Sequence, residues 1–494
     1  MGRAELRQGP TEPGRPGQPR RAGGALPPRR RPGGIALPPA ARDPTATVRR
    51  AIAALPDGVT ADARWVESGF TTIRFAQGRI HQPHFDRVQH LSFRVADHGR
   101  LGTATTSDVS AAGIAAVVRS ARALALRAPP EPGFRGFARA TGGAPRPVAF
   151  SSSTAALPPE EVARLAERIL DATHARLPAG RTAGAVHVGA QSLRVVNSTG
   201  LDRSTRVSSA EASVLVDRPD RDPPVSGWSE GAHWDVARLD PARLGQEAAE
   251  RVARSAPRAV APGEYRVVLR GPAMSDLVSF LALLGFGAHG EIEGWSCLRG
   301  RRGARVAPAR ISLVDDARSE EGIPRAIDYE GTLTRRRPLL DRGVAGAPVT
   351  DLVTAGKLKA RLTGHAPPPE APWGEWGPYP MHLDLAAGDA TEEELVRATR
   401  RGLLVTRFHY VRVVDPSTAT ITGMTRDGTY RIERGEVAGP VRNLRFTQSV
   451  LGALASAELL GRERRAYADE RGGSSATVPA ALLGRFRFTS ATVF

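Results

Sequence analysis

The sequence predicts an α+β fold in two domains, and three observations carry that reading. At 494 residues the chain is too long for one ordinary core. Its first half alternates period-two segments with amphipathic helices, as antiparallel sheets with segregated helices do. Its C-terminal stretch runs strand, turn, strand.

From Met1 to Pro44 the chain is rich in Arg, Pro and Gly, with a PPRRRPGG run, and buries too little apolar surface to offset the entropy of ordering it. Residues 1–44 are therefore expected to be a disordered tail or an over-long gene start. The first domain, residues 45–257, opens with the helical spacing of TATVRRAIAAL. Strands are predicted at Ala63 to Glu67, Phe70 to Ala76, Arg79 to Gln82 and Val88 to Ala96, with Gly78 and Asp97-His98-Gly99 at the turns. A helix follows from about Ser107 to Ala128. The next, Pro159 to Leu177, places Val162, Leu165, Ile169 and Leu170 on one face and Glu160, Glu161, Arg164 and Glu167 towards water. Strands at Ala185 to Gln191, Leu193 to Asn197 and Glu211 to Asp217 complete the domain.

Beyond the Ser255-Ala256-Pro257 break, the second domain, residues 258–494, begins with a strand at Tyr265 to Leu269 and an apolar helix from Met274 to Leu284. Thr391 and Glu394 form a capping box that starts a helix running through Leu404. From Phe408 the pattern is strand and turn, with Asp427-Gly428 and Arg434-Gly435 as turn signals.

Composition narrows the function. The longest apolar run, near Leu277 to Phe286, is about half the ~20 residues of a membrane span, so no membrane is expected. The N-terminus lacks the continuous apolar stretch of a secretory signal. With one cysteine, Cys297, neither an internal disulfide nor a Cys-based zinc knuckle can form, and a cytoplasmic setting fits. The net charge of +18 would attract phosphate, but only Lys357 and Lys359 of the 69 basic residues are lysines, and nine arginines lie between Met1 and Arg42. Aromatic residues are 5%, too sparse for rows of base-stacking side chains, so nucleic acid is not the expected partner.

The usual catalytic signatures HExxH and GxxxxGK[ST] are missing. His81, His84 and His90, with His98 further on, are the best histidine cluster by spacing. Residues an odd number apart point to opposite faces of a strand, so His81 and His84 diverge unless a bulge at Pro83 re-aims one, and solvated or packed histidines are the plainer reading. His289, Glu291 and Glu293 in GFGAHGEIEG offer imidazole and carboxylate chemistry, although on spacing alone they read as a surface turn. Asp315, Asp316, Asp328 and Glu330 form an acidic set with Arg335, Arg336 and Arg337 as ready partners at a surface.

Three blocks bring a family into view. The stretch TRFHYVRVVDPSTATITGMTRDGTYRIERGEVAGPVRNLRFTQSVL, Thr406 to Leu451, resembles the C-terminal signature of TldD/PmbA proteins, also called modulators of DNA gyrase. Ile311 to Ala366 resembles the strand and DxEG block of that family, and TTIRFAQGRIHQ to GRLGTATTSD its N-terminal meander. The match runs from about residue 46 to the end, in order. It implies an α+β N-terminal domain and a mostly-β, barrel-like C-terminal one.

In the metal-bearing TldD branch, a histidine-glutamate pair precedes a second histidine by five positions. His289, with Gly290 and Glu293-Gly294, resembles the end of that motif, whereas Leu284 and Gly285 stand at the first-histidine and glutamate positions. The family's further cysteine ligand lies near its C-terminus, where residues 463–494 hold no cysteine, and Cys297 is too early to match it. GWSCLRGRRG resembles the PmbA branch instead.

The resemblance thus implies a PmbA-type, or TldE-type, subunit without metal of its own or catalytic residues. It would pair with a metal-bearing TldD-type subunit, where the zinc is expected, or with a copy of itself, to form a chamber that takes unfolded peptide. Two alternatives stay open: an active metallopeptidase with a relocated site at His289, Glu291, Glu293 and Cys297, and a nucleic-acid-linked, gyrase-modulating regulator.

Overall fold

The structure, a computed structural model, describes residues 43–492 apart from 142, 144, 146–149, 221–224, 254, 369–373 and 469–474. Residues 1–42 of the predicted tail lie outside the described residues.

The N-terminal sheet has six antiparallel strands: β1 (Thr60–Ala76), β2 (Arg79–Asp97), β3 (Arg100–Thr106), β4 (Arg181–Asn197), β5 (Asp202–Arg218) and β6 (Val225–His233), in the order β3-β2-β1-β4-β5-β6. Strands predicted as separate pairs are fused: β1, β2 and β4 each run through a short polar interruption, because ladder pairing continues across it. The β1–β2 turn is Gln77-Gly78 and the β2–β3 turn His98-Gly99, with positive φ at all four residues. That backbone is the two-residue hairpin loop matching the right-handed twist of its strands, and glycine in the second place meets it without strain.

One face of this sheet carries Ala61, Ala63, Ile73 and Phe75 of β1. The first pair packs with Ile114, Val117 and Ala121 of the helix Ala111–Arg127, the second with Val162, Ala166 and Ile169 of the helix Pro159–Arg176. Burying each such large side chain is worth about 1.5–3 kcal/mol. Ser110 caps the first helix by accepting from Gly113 N–H. The opposite face presents Val66, Leu193 and Val195 to Ile327 and Tyr329 of the C-terminal half, with Asp62, Arg64 and Arg94 beside them.

The second sheet has eleven strands: β7 (Gly263–Leu269), β8 (Leu313–Asp315), β9 (Arg337–Asp341), β10 (Val344–Ala345), β11 (His382–Leu385), β12 (Arg401–Asp415), β13 (Thr420–Glu433), β14 (Glu436–Pro440), β15 (Leu444–Ser449), β16 (Ala457–Ala468) and β17 (Ser475–Ala491). Pairings β7–β12, β12–β13, β13–β15, β15–β17 and β17–β7 close a ring, the barrel that the resemblance implied. The first half of β17 leaves the ring to pair with β16 and β11.

Two details differ from the sequence reading. Asp427-Gly428 is not a turn: it lies inside β13, where a bulge against β12 gives Asp427 a φ of 53° and its buried carboxylate pairs with Arg407. The capped helix spans only Glu392–Thr399, because Arg400 takes a φ of 59° and Arg401 to Leu404 join β12. The apolar helix spans Gly271–Gly285 and is buried over most of its surface against the ring's strands, which explains its largely apolar sequence.

Candidate functional site

The end of that buried helix is where the resemblance places a metal motif. Leu284 is fully buried among core side chains. After the helix the chain turns through the short helix Ala288–Glu293, and the segment 295–298 folds back over the exposed carbonyls of the last turn. Cys297 N–H donates to Leu284 O at 3.1 Å, and Ser296 Oγ to Gly285 O at 2.9 Å. The fold-back fills the space beside Gly285. A Cβ there would stand 2.9 Å from Leu298 Cδ1 and 3.2 Å from Cys297 Sγ, so no carboxylate side chain fits without displacing them.

His289 packs edge-on to Trp295, with ring centroids 6.2 Å apart, and Trp295 meets Trp376 in the same way at 5.2 Å. Glu291 is half-buried and Glu293 exposed. Burial pushes the Cys297 thiol up to about 12, so at neutral pH it is neither a thiolate nucleophile nor a ready ligand. Among the described residues no three His, Cys, Asp or Glu side chains are grouped closely enough to hold a metal, His81, His84, His90 and His98 among them. A zinc site needs three or four protein ligands, and of the motif positions among the described residues only His289 offers one. The ladder with β1 runs unbroken past Pro83 and bulges at His81, the residue left over between Gln82 and Ile80.

The acidic set is not a surface ion-pair cluster. Only Asp316 pairs with one of the predicted arginines, Arg336, at 3.4 Å. Asp315, Asp328 and Glu330 are buried, at 1%, 0% and 4% exposure. Glu330 receives Arg94 of β2 at 2.8 Å and the Leu352 N–H at 2.8 Å. Asp328 accepts the N–H groups of Glu330, Thr332 and Ala366, which shapes the DxEG turn. Burial and the neighbouring Glu330 push Asp328 up, and burial likewise raises Glu330 against the pull of Arg94. The block is therefore a charged lock between the two sheets.

Asp315 organises a second buried group. Its Oδ1 accepts the N–H of Met381 and of His382, and its Oδ2 lies 2.8 Å from His365 Nε2. His365 Nδ1 lies 2.9 Å from the Thr363 hydroxyl, whose oxygen is also 3.0 Å from Thr350 O. Burial would raise the Asp315 carboxyl, but His365 outweighs it and the net shift is downward. Burial pushes His382 down to about 4, leaving it neutral. Asp315→Asn is expected to cost about 1–3 kcal/mol, because an amide that keeps the two backbone N–H groups on its oxygen replaces the carboxylate oxygen at His365 with an NH2 group. Urea unfolding at neutral pH checks this, and a loss below ~0.5 kcal/mol would refute the organising role of Asp315.

A cleft of ≈ 320 Å³ opens at the other end of the buried helix, between its first turns, β6 and β12. Ser275, Asp276, Glu230, Arg407, His409, Tyr410 and Arg412 line it, and a second recess of ≈ 270 Å³ with His187, Glu211 and Trp228 shares Glu230 and Ala468 with it. β7 pairs with β12 only at 403–405, so among the described residues no strand covers that side of β12 beside the cleft. Tyr410 sits in a β12 bulge with a φ of 55° and 63% exposure, and the Arg412 guanidinium lies 4.5 Å above its ring. Burial, with Glu230 adding to it, pushes Glu211 up to about 7, so it can give or take a proton near neutrality. Sequence reading did not single out these residues: Glu211 looks like any outward position of an alternating strand.

Comparison with known proteins accords with this architecture. Models of the PmbA/TldA metallopeptidase family match in three consecutive parts, domain 1 over 61–125, the central domain over 153–256 and the C-terminal domain over 262–490. A protein named metalloprotease from Methanothermobacter thermautotrophicus is 25% identical over 431 residues, 85% of this chain and 91% of that one. The crystal structure of TldE from Thermococcus kodakarensis superposes with a TM-score of 0.79 at 16% identity, covering 90% of this chain and 99% of the other. A candidate modulator of a DNA gyrase from Thermotoga maritima gives 0.74 at 19% identity, covering 90% and 100%. With all three family parts matched in order across both sheets, the chain belongs to the PmbA/TldD metallopeptidase family.

Proposed function

We propose that this chain is the non-catalytic, PmbA/TldE-type subunit of a cytoplasmic peptidase, pairing with a metal-bearing TldD-type subunit to cut unfolded peptides. The observation that carries the reading is the filled helix end: Leu284 belongs to the core and Gly285 is sealed by Leu298 and Cys297. One histidine without a general base neither holds zinc firmly nor activates water. The likeness to a TldE structure supports a paired assembly. The uncovered side of β12 suits an unfolded chain, since an extended peptide added to a strand edge is held through its main chain and not its sequence. In this reading the cleft forms part of the wall of a shared chamber, and the cutting groups come from the partner.

Zinc content tests the proposal. The purified chain alone is expected to carry no stoichiometric zinc, and co-purification with a metal-bearing relative to yield about one zinc per pair. Stoichiometric zinc in the lone chain, lost in His289→Ala, would overturn the proposal in favour of a relocated site at His289, Glu291 and Glu293.

A further inference from the structure

Strand β2 is 19 residues long, but β3 pairs with it only from Leu91 to Asp97. Residues 79–90 are laddered to β1 on one side, and among the described residues no strand lies along the other. An uncovered edge of this length is a template for another strand. Its first part is blunted by the bulge at His81 and by Pro83, which has no N–H to give. The segment 82–88 remains, exposed at every position except the half-buried Phe85, with Val88 at 43% exposure.

We propose that this segment joins a second copy of the chain, edge to edge and antiparallel, about a two-fold axis at Phe85. A two-fold axis perpendicular to a sheet keeps each side chain on its own face, so only registers in which a residue pairs with itself at the centre are allowed. Of these, the register centred on Phe85 is the self-complementary one. It sets Phe85 against its own copy and His84 against Asp86 twice, placing an imidazole opposite a carboxylate on one face. Centring on Asp86 or Arg87 would instead oppose like charges at the axis. The Phe85 register also ends the partner strand where β3 begins to cover β2, so the two edges meet without overlap. This pairing is independent of the subunit role proposed above, because it uses the outer edge of the N-terminal sheet and not the cleft.

The test uses the full chain alone. Phe85→Cys places one thiol from each copy in a directly opposed pair, where Cα atoms lie about 4.5–5.5 Å apart, within disulfide reach. The native cysteine, Cys297, is buried, so mild oxidation is expected to give a covalent dimer in Phe85→Cys and none in the parent chain. In sedimentation analysis of the uncross-linked protein, His84→Asp, which opposes two carboxylates, is expected to weaken dimerisation roughly tenfold or more, and adding Asp86→His to restore it. A monomeric parent chain, a dimer indifferent to His84→Asp, or no rescue by the double variant would each overturn the proposal. A Phe85→Cys chain that still dimerises but does not cross-link on oxidation would overturn this register in favour of another surface.

Discussion

Arg94→Met is expected to cost about 3–5 kcal/mol of stability, the range for breaking a buried ion pair from one side. The Arg94 guanidinium binds Asp62 at 3.2 and 2.7 Å and Glu330 at 2.8 Å, and lies 5.1 Å from the Phe137 ring centroid. Methionine keeps most of the volume but leaves Asp62 and Glu330 without the cation they share. The pH dependence identifies the mechanism. In the parent chain burial would raise Asp62, but Arg64 and Arg94 outweigh it and hold its carboxyl low. That contribution is present above the unfolded carboxylate value of about 4 and is lost as pH falls through the folded one. Without Arg94, Asp62 keeps only Arg64 to hold it down, and Glu330, already raised by burial, is pushed further up. A raised carboxyl contributes its stability in acid and loses it as pH rises. The gap between variant and parent in urea unfolding should therefore be wider at pH 8 than at pH 5. An equal gap at both would mean that lost packing, not charge, sets the cost.

The second large effect concerns the sealed helix end. Restoring the metal-branch pattern with Leu284→His and Gly285→Glu is expected to destabilise the chain and still yield no stoichiometric zinc. Exchanging a fully buried leucine for a polar side chain costs on the order of 2–5 kcal/mol. Forcing a side chain into the contact with Leu298 adds roughly 1–3 kcal/mol. Adding Leu298→Ala should recover part of the second loss, because it removes the 2.9 Å contact. Thermal unfolding and elemental analysis of both variants decide the matter. A stable double variant with one zinc per chain would show that the surrounding pocket had remained a metal centre in all but two residues.

The periodicities of the sequence show the elements that repeat locally. Helix Pro159–Arg176 was legible because its apolar face recurs at helical spacing, and the hairpins at Gly78 and Gly99 because few residues other than glycine take that backbone easily. The strands were legible in pieces, since polar residues such as Ser68 interrupt the alternation while the ladder runs on. The acidic set was misplaced for a different reason. Glu330 finds Arg94 236 residues away and Asp315 finds His365 50 residues away, whereas Arg335 to Arg337 are close only in sequence. At the helix end, Leu284 and Gly285 stood out through the resemblance alone. That Leu298 and Cys297 fill the space beside Gly285 depends on a fold-back that no spacing rule reveals.

The ring of β7, β12, β13, β15 and β17 has a consequence for how the chain is made. β7 is synthesised at residues 263–269, yet one of its two neighbours is β17, which ends at Ala491. The N-terminal sheet needs nothing beyond His233 for its own ladder and can form while the rest is still being translated. The ring cannot close until its last strand has left the ribosome, and the apolar helix after β7 waits through that interval without its final cover. A nascent chain halted before Ser475 should therefore carry a protease-resistant N-terminal half joined to a segment that chaperones hold.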